Sequence, residues 1–266
     1  KFVREFRAKM RRYTKAVPLG NVMKEVRAVK DAGEVQAIQS AVRMMEEVLR
    51  ELYDMVELGV TTDCQLAVAL KHKLNDRGSD VSFAPIILSG SDSAFIHGDP
   101  FKLRKERERR GIVPAEKVIG RGDIIQFDVG CVVNGYASDI SRVVVAGKAT
   151  EKQRRMHRAI LEAIRASLEF YRPGRPGNEA QDCADRVLKE HGFEKGMVHG
   201  LGHGIGLAVH ELPSTRSTSV FEAGNVVSLE PGIYIEGYGG MRIERDVLIT
   251  ENGPMFLDEF TVDLVE

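Results

Sequence analysis

Apolar residues between positions 35 and 52 recur at steps of three and four, which is the spacing of one face of a helix. Asp31 stands just before this pattern, and Glu34 follows three positions later, where a capping box places its acidic residue. Gly59 comes after the last apolar position and is a typical residue to end a helix. The pattern therefore predicts a long amphipathic helix that begins at Asp31 and ends at Gly59.

The next segment predicts a second helix and then β-structure. Thr61 or Thr62 can cap this helix, and Gly78 closes it. An unbroken apolar stretch over residues 81–88 favours a buried strand. Two further β-type runs lie within residues 123–145.

The second half of the chain repeats this order. A helix is predicted over residues 151–171, and Asn178 can cap another that ends near Gly192. β-type runs follow over residues 225–236 and 241–250. With 266 residues, 43% of them hydrophobic, the chain can bury a large core. We therefore expect an α+β domain of two similar halves, with helices outside one sheet system and a site in the cleft between the halves.

The first pair of β-type runs brings two aspartates together. Asn134-Gly135 is a strong signal for a two-residue hairpin turn, which places Asp128 opposite Ser141 and Asp139 opposite Gly130. Both carboxylates then point to one face, with backbones about 7–8 Å apart. Because an unpaired carboxylate inside an apolar strand is costly, a cation between the two would explain them.

Histidine and glycine are concentrated in one later segment. Residues 199–206 hold four glycines together with His199 and His203, and His210 follows. Glycines allow close approaches that other residues forbid. Three histidines on such a scaffold favour a transition-metal site or acid–base chemistry.

Two glutamates occupy apolar strand positions near the C-terminus. A simple hairpin through Tyr238-Gly239 would pair Glu244 with Ile233, which puts Glu230 on the opposite face. A bulge at Pro231-Gly232 would bring both carboxylates to one face, since proline interrupts a ladder. We therefore predict this bulge.

Each of these side chains also has a structural alternative. The two aspartates could face solvent or accept bonds from backbone amides near strand ends. A single histidine is more often a structural residue than a ligand. Glu244 could form a surface salt bridge with Arg242 or Arg245.

Composition restricts the partners. The net charge of −1 gives no general attraction to nucleic acid or anionic lipid, and no apolar run reaches the length of a membrane span. The three cysteines are far apart, which favours free thiols in a reducing compartment, and hence the cytoplasm. The chain begins with Lys1 and shows no signal peptide, so a trimmed or longer parent protein is one interpretation.

Five motifs, in this order and spacing, resemble the "pita-bread" metallopeptidases, the family of proline dipeptidase, aminopeptidase P and methionine aminopeptidase. The resemblance runs from about Val26 to the C-terminus, and the residues around His199 are most similar to the Xaa-Pro enzymes. The motifs are Asp128-Val129-Gly130, Gly135 to Arg142, His199 to Gly206 with His210-Glu211, Glu230-Pro231-Gly232, and Arg242-Ile243-Glu244.

The resemblance implies a pita-bread fold whose curved antiparallel sheet is covered by helices. It implies two bound divalent metal ions, most naturally Mn²⁺, with Co²⁺ or Zn²⁺ also able to bind. It also implies hydrolysis of Xaa-Pro peptide bonds through a metal-bridging hydroxide. The implied ligands, with Asp139 and Glu244 bridging both ions, are Asp128, Asp139, His203, Glu230 and Glu244.

The same resemblance assigns roles around the metals. Glu230 would shuttle a proton, and His97 and His210 would stabilise the oxyanion and hold the substrate. His199 and Arg242 would also contact the substrate. The expected partner is a short peptide, and a homodimer is the expected assembly. The alternatives are a methionine aminopeptidase or a non-catalytic peptide-binding domain of the same fold.

Two regions depart from the family. Residues 1–25 are basic and are predicted to be a solvated helix or linker, or a contact surface for a partner, ahead of a catalytic domain over residues 26–266. Xaa-Pro enzymes usually carry an extra N-terminal domain, which we expect to be absent from this protein or to have been removed from the sequence. A basic insertion over residues 102–110 is predicted to be a solvated loop, or alternatively a flap at the cleft mouth that binds acidic groups.

Overall fold

Two similar α+β halves make up the fold in this computed structural model, which describes residues 2–10, 20–193, 197–259 and 261–264. In the first half, α3 and α4 pack on a three-stranded antiparallel sheet with the order β1-β2-β5. A 3₁₀ turn, Gly90–Ala94, follows β1. The elements of this half are α1 (Phe2–Met10), α2 (Val22–Ala28), α3 (Ala32–Asp54), α4 (Asp63–Asp76), β1 (Ile86–Ser89), α5 (Pro100–Arg109), β2 (Ile124–Val129), β3 (Val132–Val133), β4 (Tyr136–Ala137) and β5 (Ile140–Val145).

In the second half, α6 and α7 pack together over a five-stranded sheet with the order β12-β11-β8-β6-β7. Two buried apolar clusters form the core; one lies mainly in the first half and the other mainly in the second, and each includes some residues of the other half. The elements are α6 (Glu151–Leu168), α7 (Gly177–Glu190), β6 (His203–Gly204), β7 (Glu211–Ser214), β8 (Val226–Leu229), β9 (Gly232–Ile235), β10 (Gly239–Arg242), β11 (Arg245–Thr250) and β12 (Gly253–Phe256).

The two half-sheets meet at one backbone bridge between Ser141 and Glu244. Each of these residues donates its N–H to the carbonyl of the other, with N···O distances of 3.4 and 3.1 Å. The predicted sheet system of two similar halves is therefore confirmed.

The helix starts in the first half agree with the sequence pattern. Asp31 and Glu34 form a capping box on α3, and Thr62 forms another with Gln65 on α4. The end of α3 was predicted too late: the helix ends at Asp54, and Gly59 lies in the following turn with a φ of 77°.

Two other element boundaries were wrong. The strand predicted over residues 81–88 begins only at Ile86, because Pro85 has no N–H to donate to a ladder. Asn178 lies inside α7 and does not cap it. The first amides of this helix donate instead to carbonyls of the loop before β8, so no side-chain cap is needed; these bonds are Gly177 N–H to Ser219 and Asn178 N–H to Ser217.

The first hairpin has the predicted register. Asp128 pairs with Ser141, and Val133 pairs with Tyr136. Asn134 and Gly135 both have positive φ, of 51° and 86°, as a type I′ turn requires.

The second hairpin has a different register from the predicted one. Gly239 pairs with Ile235, and Arg245 pairs with Leu229. The same register runs through both ladders, so Glu244 lies opposite Glu230 without any bulge. The predicted bulge was wrong because the turn lies around Gly237, with a φ of 73°, and not at Tyr238-Gly239.

The basic insertion is a helix and not a solvated loop. Asp99 caps α5 by accepting bonds from the amides of Phe101 and Lys102. Arg107 pairs with Asp92 of the 3₁₀ turn, which holds the helix against the first half. The sequence alone did not indicate this capped, docked state because its charges are those of a solvated surface.

The N-terminal segment is described in part. Residues 2–10 form α1, while residues 11–19 of the predicted linker lie outside the described residues. The boundary at residue 25 falls within α2, and the division into segment and domain stays a prediction. Among the described helices, none is long and apolar enough to cross a membrane.

Candidate metal centre

A cleft of about 490 Å³ lies where the two half-sheets meet. All nine residues that the sequence assigned to metal or substrate line it. They are His97, Asp128, Asp139, His199, His203, His210, Glu230, Arg242 and Glu244.

The first half contributes the two aspartates. Asp128 lies on β2, and Asp139 lies just before β5; both are buried. The backbone N–H of Asp139 donates to the carboxylate of Asp246, at 3.2 Å, which fixes the chain at this position.

The second half contributes the two glutamates from opposite strands. Glu244 is buried and accepts a bond from the hydroxyl of Ser141, at 3.0 Å, beside the bridge between the halves. Glu230 is held more loosely by the hydroxyl of Ser228, at 3.4 Å. Because Ser141 belongs to the first half, the Glu244 carboxylate is fixed by both halves.

His203 faces these carboxylates with one ring nitrogen. Its Nδ1 lies 3.2 Å from the carbonyl oxygen of Gly204, which can only accept, so Nδ1 carries the proton. Its Nε2 lone pair then points towards Asp139 and Glu230, at 3.7 and 3.5 Å from their oxygens. Burial lowers the pKa of His203 to about 4, which keeps the imidazole neutral, as a metal ligand must be.

Glycines bring His203 to this position. A Cβ on Gly202 would lie 1.9 Å from the carbonyl oxygen of Ser228, and one on Gly204 would lie 2.1 Å from that of Leu212. Only glycine allows β6 to insert between its neighbouring strands at this distance.

The carboxylates of Asp139 and Glu244 lack enough hydrogen bonds and positive charge to balance their burial. One oxygen each of Asp139 and Glu244 is buried and has no hydrogen-bond partner among the described residues. Burial raises the pKa of Asp139 and of Glu244 well above their usual range, and the neighbouring carboxylates raise both pKa values further. Donor atoms of Asp139, His203 and Glu244 lie within 4.8 Å of one another. This cluster therefore has the geometry and the unsatisfied negative charge that suit a divalent cation.

Arg242 does not form the salt bridge with Glu244 that was considered as an alternative. Its guanidinium pairs with Asp128 and donates to the hydroxyls of Ser141 and Tyr234, at 3.0 and 2.6 Å. Arg245 points away and pairs with Asp258. The alternative interpretation of Glu244 as a surface ion pair is therefore wrong.

Tyr234 links Arg242 to His199. The Tyr234 hydroxyl accepts from Arg242 and donates to Nε2 of His199, at 2.7 Å, while Nδ1 of His199 donates to the carbonyl of Gly200, at 2.8 Å. Burial lowers the pKa of His199 to about 3, so this ring is neutral. Sequence reasoning missed Tyr234, because nothing in its sequence neighbourhood marks it as part of the site.

The two remaining histidines lie at the accessible side of the cleft. His97 is exposed on the loop after the 3₁₀ turn. The ring of His210 stacks near that of His203, with centroids 4.0 Å apart. Burial lowers the pKa of His210.

The residue next to His210 anchors its loop. The Glu211 carboxylate accepts from the amide of Ala208, at 3.0 Å, and pairs with Arg27 and with the buried Lys30, whose Nζ lies 3.3 Å away. Sequence reasoning did not assign these two cations, because their partner lies about 180 residues away in the chain.

Comparison with known proteins is consistent with this site. Residues 36–251 match the model of "Metallopeptidase family M24". The chain is 34% identical over 238 residues to the Xaa-Pro dipeptidase of Pyrococcus furiosus, covering 88% of this chain and 64% of that protein. It therefore spans slightly less than two thirds of this relative.

Solved structures share the fold. The X-Pro aminopeptidase of Thermotoga maritima superposes with a TM-score of 0.88 at 31% identity, over 99% of this chain and 71% of that one. The prolidase of Pyrococcus horikoshii gives a TM-score of 0.88 at 30% identity, over 99% and 72% of the two chains. The pita-bread fold expected from the motifs is therefore confirmed.

Proposed function

This chain belongs to metallopeptidase family M24, and we propose that it is a metal-dependent peptidase that hydrolyses peptide bonds before proline. The relatives named as Xaa-Pro dipeptidase and prolidase support the choice of bond. The observation that carries the proposal is the group of buried carboxylates around His203, in which Asp139 and Glu244 each have an oxygen that no described residue hydrogen-bonds.

Five side chains would hold two divalent ions. Asp139 and Glu244 would bridge them, Asp128 would complete one, and His203 with Glu230 would complete the other. Four carboxylates and one imidazole make an oxygen-rich donor set, which suits Mn²⁺, with Co²⁺ or Zn²⁺ as substitutes. When bound, such ions supply Lewis acidity and activate water near neutral pH.

The protein's own groups then handle the substrate and the proton. Glu230, whose carboxylate lies 3.5 Å from Nε2 of His203, would take up the proton of the attacking water and pass it to the leaving nitrogen. His210 and His97 line the accessible side, where they can donate to the carbonyl oxygen of the scissile bond. His199, neutral and oriented by Tyr234, would contact the substrate together with Arg242.

The test is hydrolysis of three peptides by chelated protein, with and without added Mn²⁺. An Xaa-Pro dipeptide, an Xaa-Pro tripeptide and a Met-Ala-Ser peptide separate the candidate activities. Manganese-dependent cutting before proline is the expected result. Cutting of the methionine peptide alone would replace the proposal with a methionine aminopeptidase, and metal binding without any cutting would favour a peptide-binding domain.

We also propose where the protein acts and what it binds. The three cysteines are free and buried, which agrees with a reducing compartment such as the cytoplasm. A short peptide is the proposed partner, without nucleic acid or membrane. A homodimer stays a prediction.

A further inference from the structure

Arg142 is a fully buried cation directly behind the candidate metal centre, and it lines no part of the cleft. Its side chain is 2% exposed. One guanidinium nitrogen, Nη1, donates to two backbone carbonyls, that of Ser141 at 3.0 Å and that of Glu244 at 2.6 Å. These carbonyls belong to the residues that form the bridge between the half-sheets.

The position of Arg142 affects the distance between the carboxylates of Asp139 and Glu244. Asp139 and Glu244, the two proposed bridging ligands, come from different halves. Beside them, the halves are joined by the pair of backbone bonds between Ser141 and Glu244, one of which is 3.4 Å long, and by the bond from the Asp139 amide to the Asp246 carboxylate, at 3.2 Å. A single charged donor that binds both carbonyls fixes the two strands relative to each other, and charge-assisted bonds are roughly twice as strong as neutral ones.

The described residues of the C-terminal segment, 257–259 and 261–264, orient Arg142 from the other side. Asp258, with a fully buried carboxylate, pairs with Nη2 of Arg142, and the carbonyl of Thr261 accepts from its Nε at 3.2 Å. The segment also contacts both halves: the amide of Glu259 donates to Glu46 of α3, and the carbonyl of Val262 accepts from His157 of α6.

We propose that Arg142, held by Asp258, is a positioning residue that sets the distance between the two bridging carboxylates, so that the C-terminal segment determines metal affinity without touching the metals. This inference rests on the proposed metal centre. The side chain acts through the backbone carbonyls of Ser141 and Glu244, and it has no contact with the substrate.

Arg142→Gln and Arg245→Gln provide a matched pair of variants. Both remove a guanidinium bound to Asp258, but Arg245 does not contact either bridge carbonyl. Because Arg245 remains on Asp258 in Arg142→Gln, the Asp258 carboxylate keeps a cationic partner and the variant is expected to fold. Arg142→Lys keeps the charge and can donate to the same carbonyls.

The measurement is calorimetric titration of the chelated proteins with Mn²⁺, alongside the melting temperature of each metal-free protein. Outer contacts of this kind change metal affinity by about 10- to 100-fold. We expect Arg142→Gln to bind Mn²⁺ at least tenfold more weakly than Arg245→Gln, with Arg142→Lys in between. The ratio of kcat to KM should fall through kcat, because the displaced ligands act on the reaction and not on peptide binding.

Two results of the Mn²⁺ titration would contradict the proposed role of Arg142. Equal Mn²⁺ affinity in Arg142→Gln and the unchanged protein, or equal weakening in Arg245→Gln, would overturn the positioning role. If Arg142→Gln does not fold, Asp258→Asn takes its place and must weaken Mn²⁺ binding more than Asp263→Asn, an exchange in the same segment. If the unchanged protein binds Mn²⁺ normally but hydrolyses no peptide, only the proposed function is refuted. If the unchanged protein binds no Mn²⁺, both the proposed function and the positioning role of Arg142 are refuted.

Discussion

Glu244 shows how a single side chain depends on both halves of the molecule. Its backbone pairs with Ser141, one carboxylate oxygen accepts from the Ser141 hydroxyl, and the other oxygen has no partner among the described residues. A buried oxygen without a donor is costly, and a bound cation beside this carboxylate would remove that cost.

Glu244→Ala is expected to abolish turnover, because it removes a bridging ligand. Metal content after dialysis should fall from two ions to one or none per chain, measured by mass spectrometry. Glu236→Ala, an exposed glutamate on the same hairpin, is the control and should keep both. Near-normal turnover by Glu244→Ala, or by Asp139→Ala, would contradict the two-metal assignment.

His210→Ala should keep the metals and lose most turnover. The ring lies beside His203 at the accessible side of the cleft, where it can contact the substrate but is not among the proposed ligands. The expected loss is about 10²- to 10³-fold in kcat, as for other groups that stabilise an oxyanion. Loss of metal from this variant would instead make His210 a ligand.

Proton release should accompany metal binding. The pKa of Glu230 is raised from 4.5 to about 8 by burial in the metal-free protein, and those of Asp139 and Glu244 are also raised. Near pH 7 at least one proton must therefore leave when a cation binds. Titrations in buffers of different ionisation enthalpy should show this release, and apparent affinity should rise with pH up to about 8. Affinity that is independent of pH between 6 and 8 would contradict the raised pKa values.

The raised pKa of Glu230 also predicts how this group changes the stability of the metal-free protein with pH. Between pH 4.5 and about 8 the folded chain binds more protons at Glu230 than the unfolded chain does. The stabilising contribution of Glu230 therefore falls as pH rises through this range, while the lowered pKa values of His199 and His203 contribute with the opposite sign below about pH 6.5. The contribution of Glu230 is complete below pH 4.5 and is lost above pH 8.

At the scale of single elements, the strand β6 depends on its glycines. It inserts between β7 and β8, and Gly202 lies against the carbonyl of Ser228 with no space for a side chain. The first glycine of the motif, Gly200, faces only the flexible side chain of Arg216.

Gly202→Ala should therefore displace His203 and weaken metal binding, with a stability loss of several kcal/mol, since overpacking against backbone costs about 1–3 kcal/mol or more. Gly200→Ala is the matched exchange, and Arg216 can move aside. Chemical denaturation and Mn²⁺ titration of both variants test this. Equal stability of the two variants would show that β6 can shift without cost.

At the scale of the whole molecule, metal binding should stabilise the two halves together, because both halves contribute ligands. Two proposed ligands come from the first half and three from the second. Binding of an ion to the folded state alone at 100 times its Kd stabilises a protein by about 2.7 kcal/mol. We therefore expect Mn²⁺ to raise the midpoint of a single cooperative urea transition, followed by circular dichroism. Two separate urea transitions, one of them unchanged by Mn²⁺, would show that the two halves do not share the metal ligands.

The helix caps and the first hairpin followed from the sequence because local chemistry decides them. Asp31 with Glu34 satisfies the free amides at the start of α3, and Asn134-Gly135 adopts the positive φ values of its turn. The metal-ligand candidates were also visible, since carboxylates at apolar strand positions and histidines among glycines are unusual residues for those places. Their assignment as ligands stays a prediction.

Contacts between elements decided the rest. The pairing of β9 with β10, the start of α7 and the docking of α5 depend on contacts with other segments, which local residue patterns do not encode. The bonds of Arg142 to Ser141 and Glu244 and the pairing of Glu211 with Lys30 have the same origin. The sequence by itself determined which residues are chemically unusual, and only the tertiary structure decided which backbone carbonyls and buried charges hold them in place.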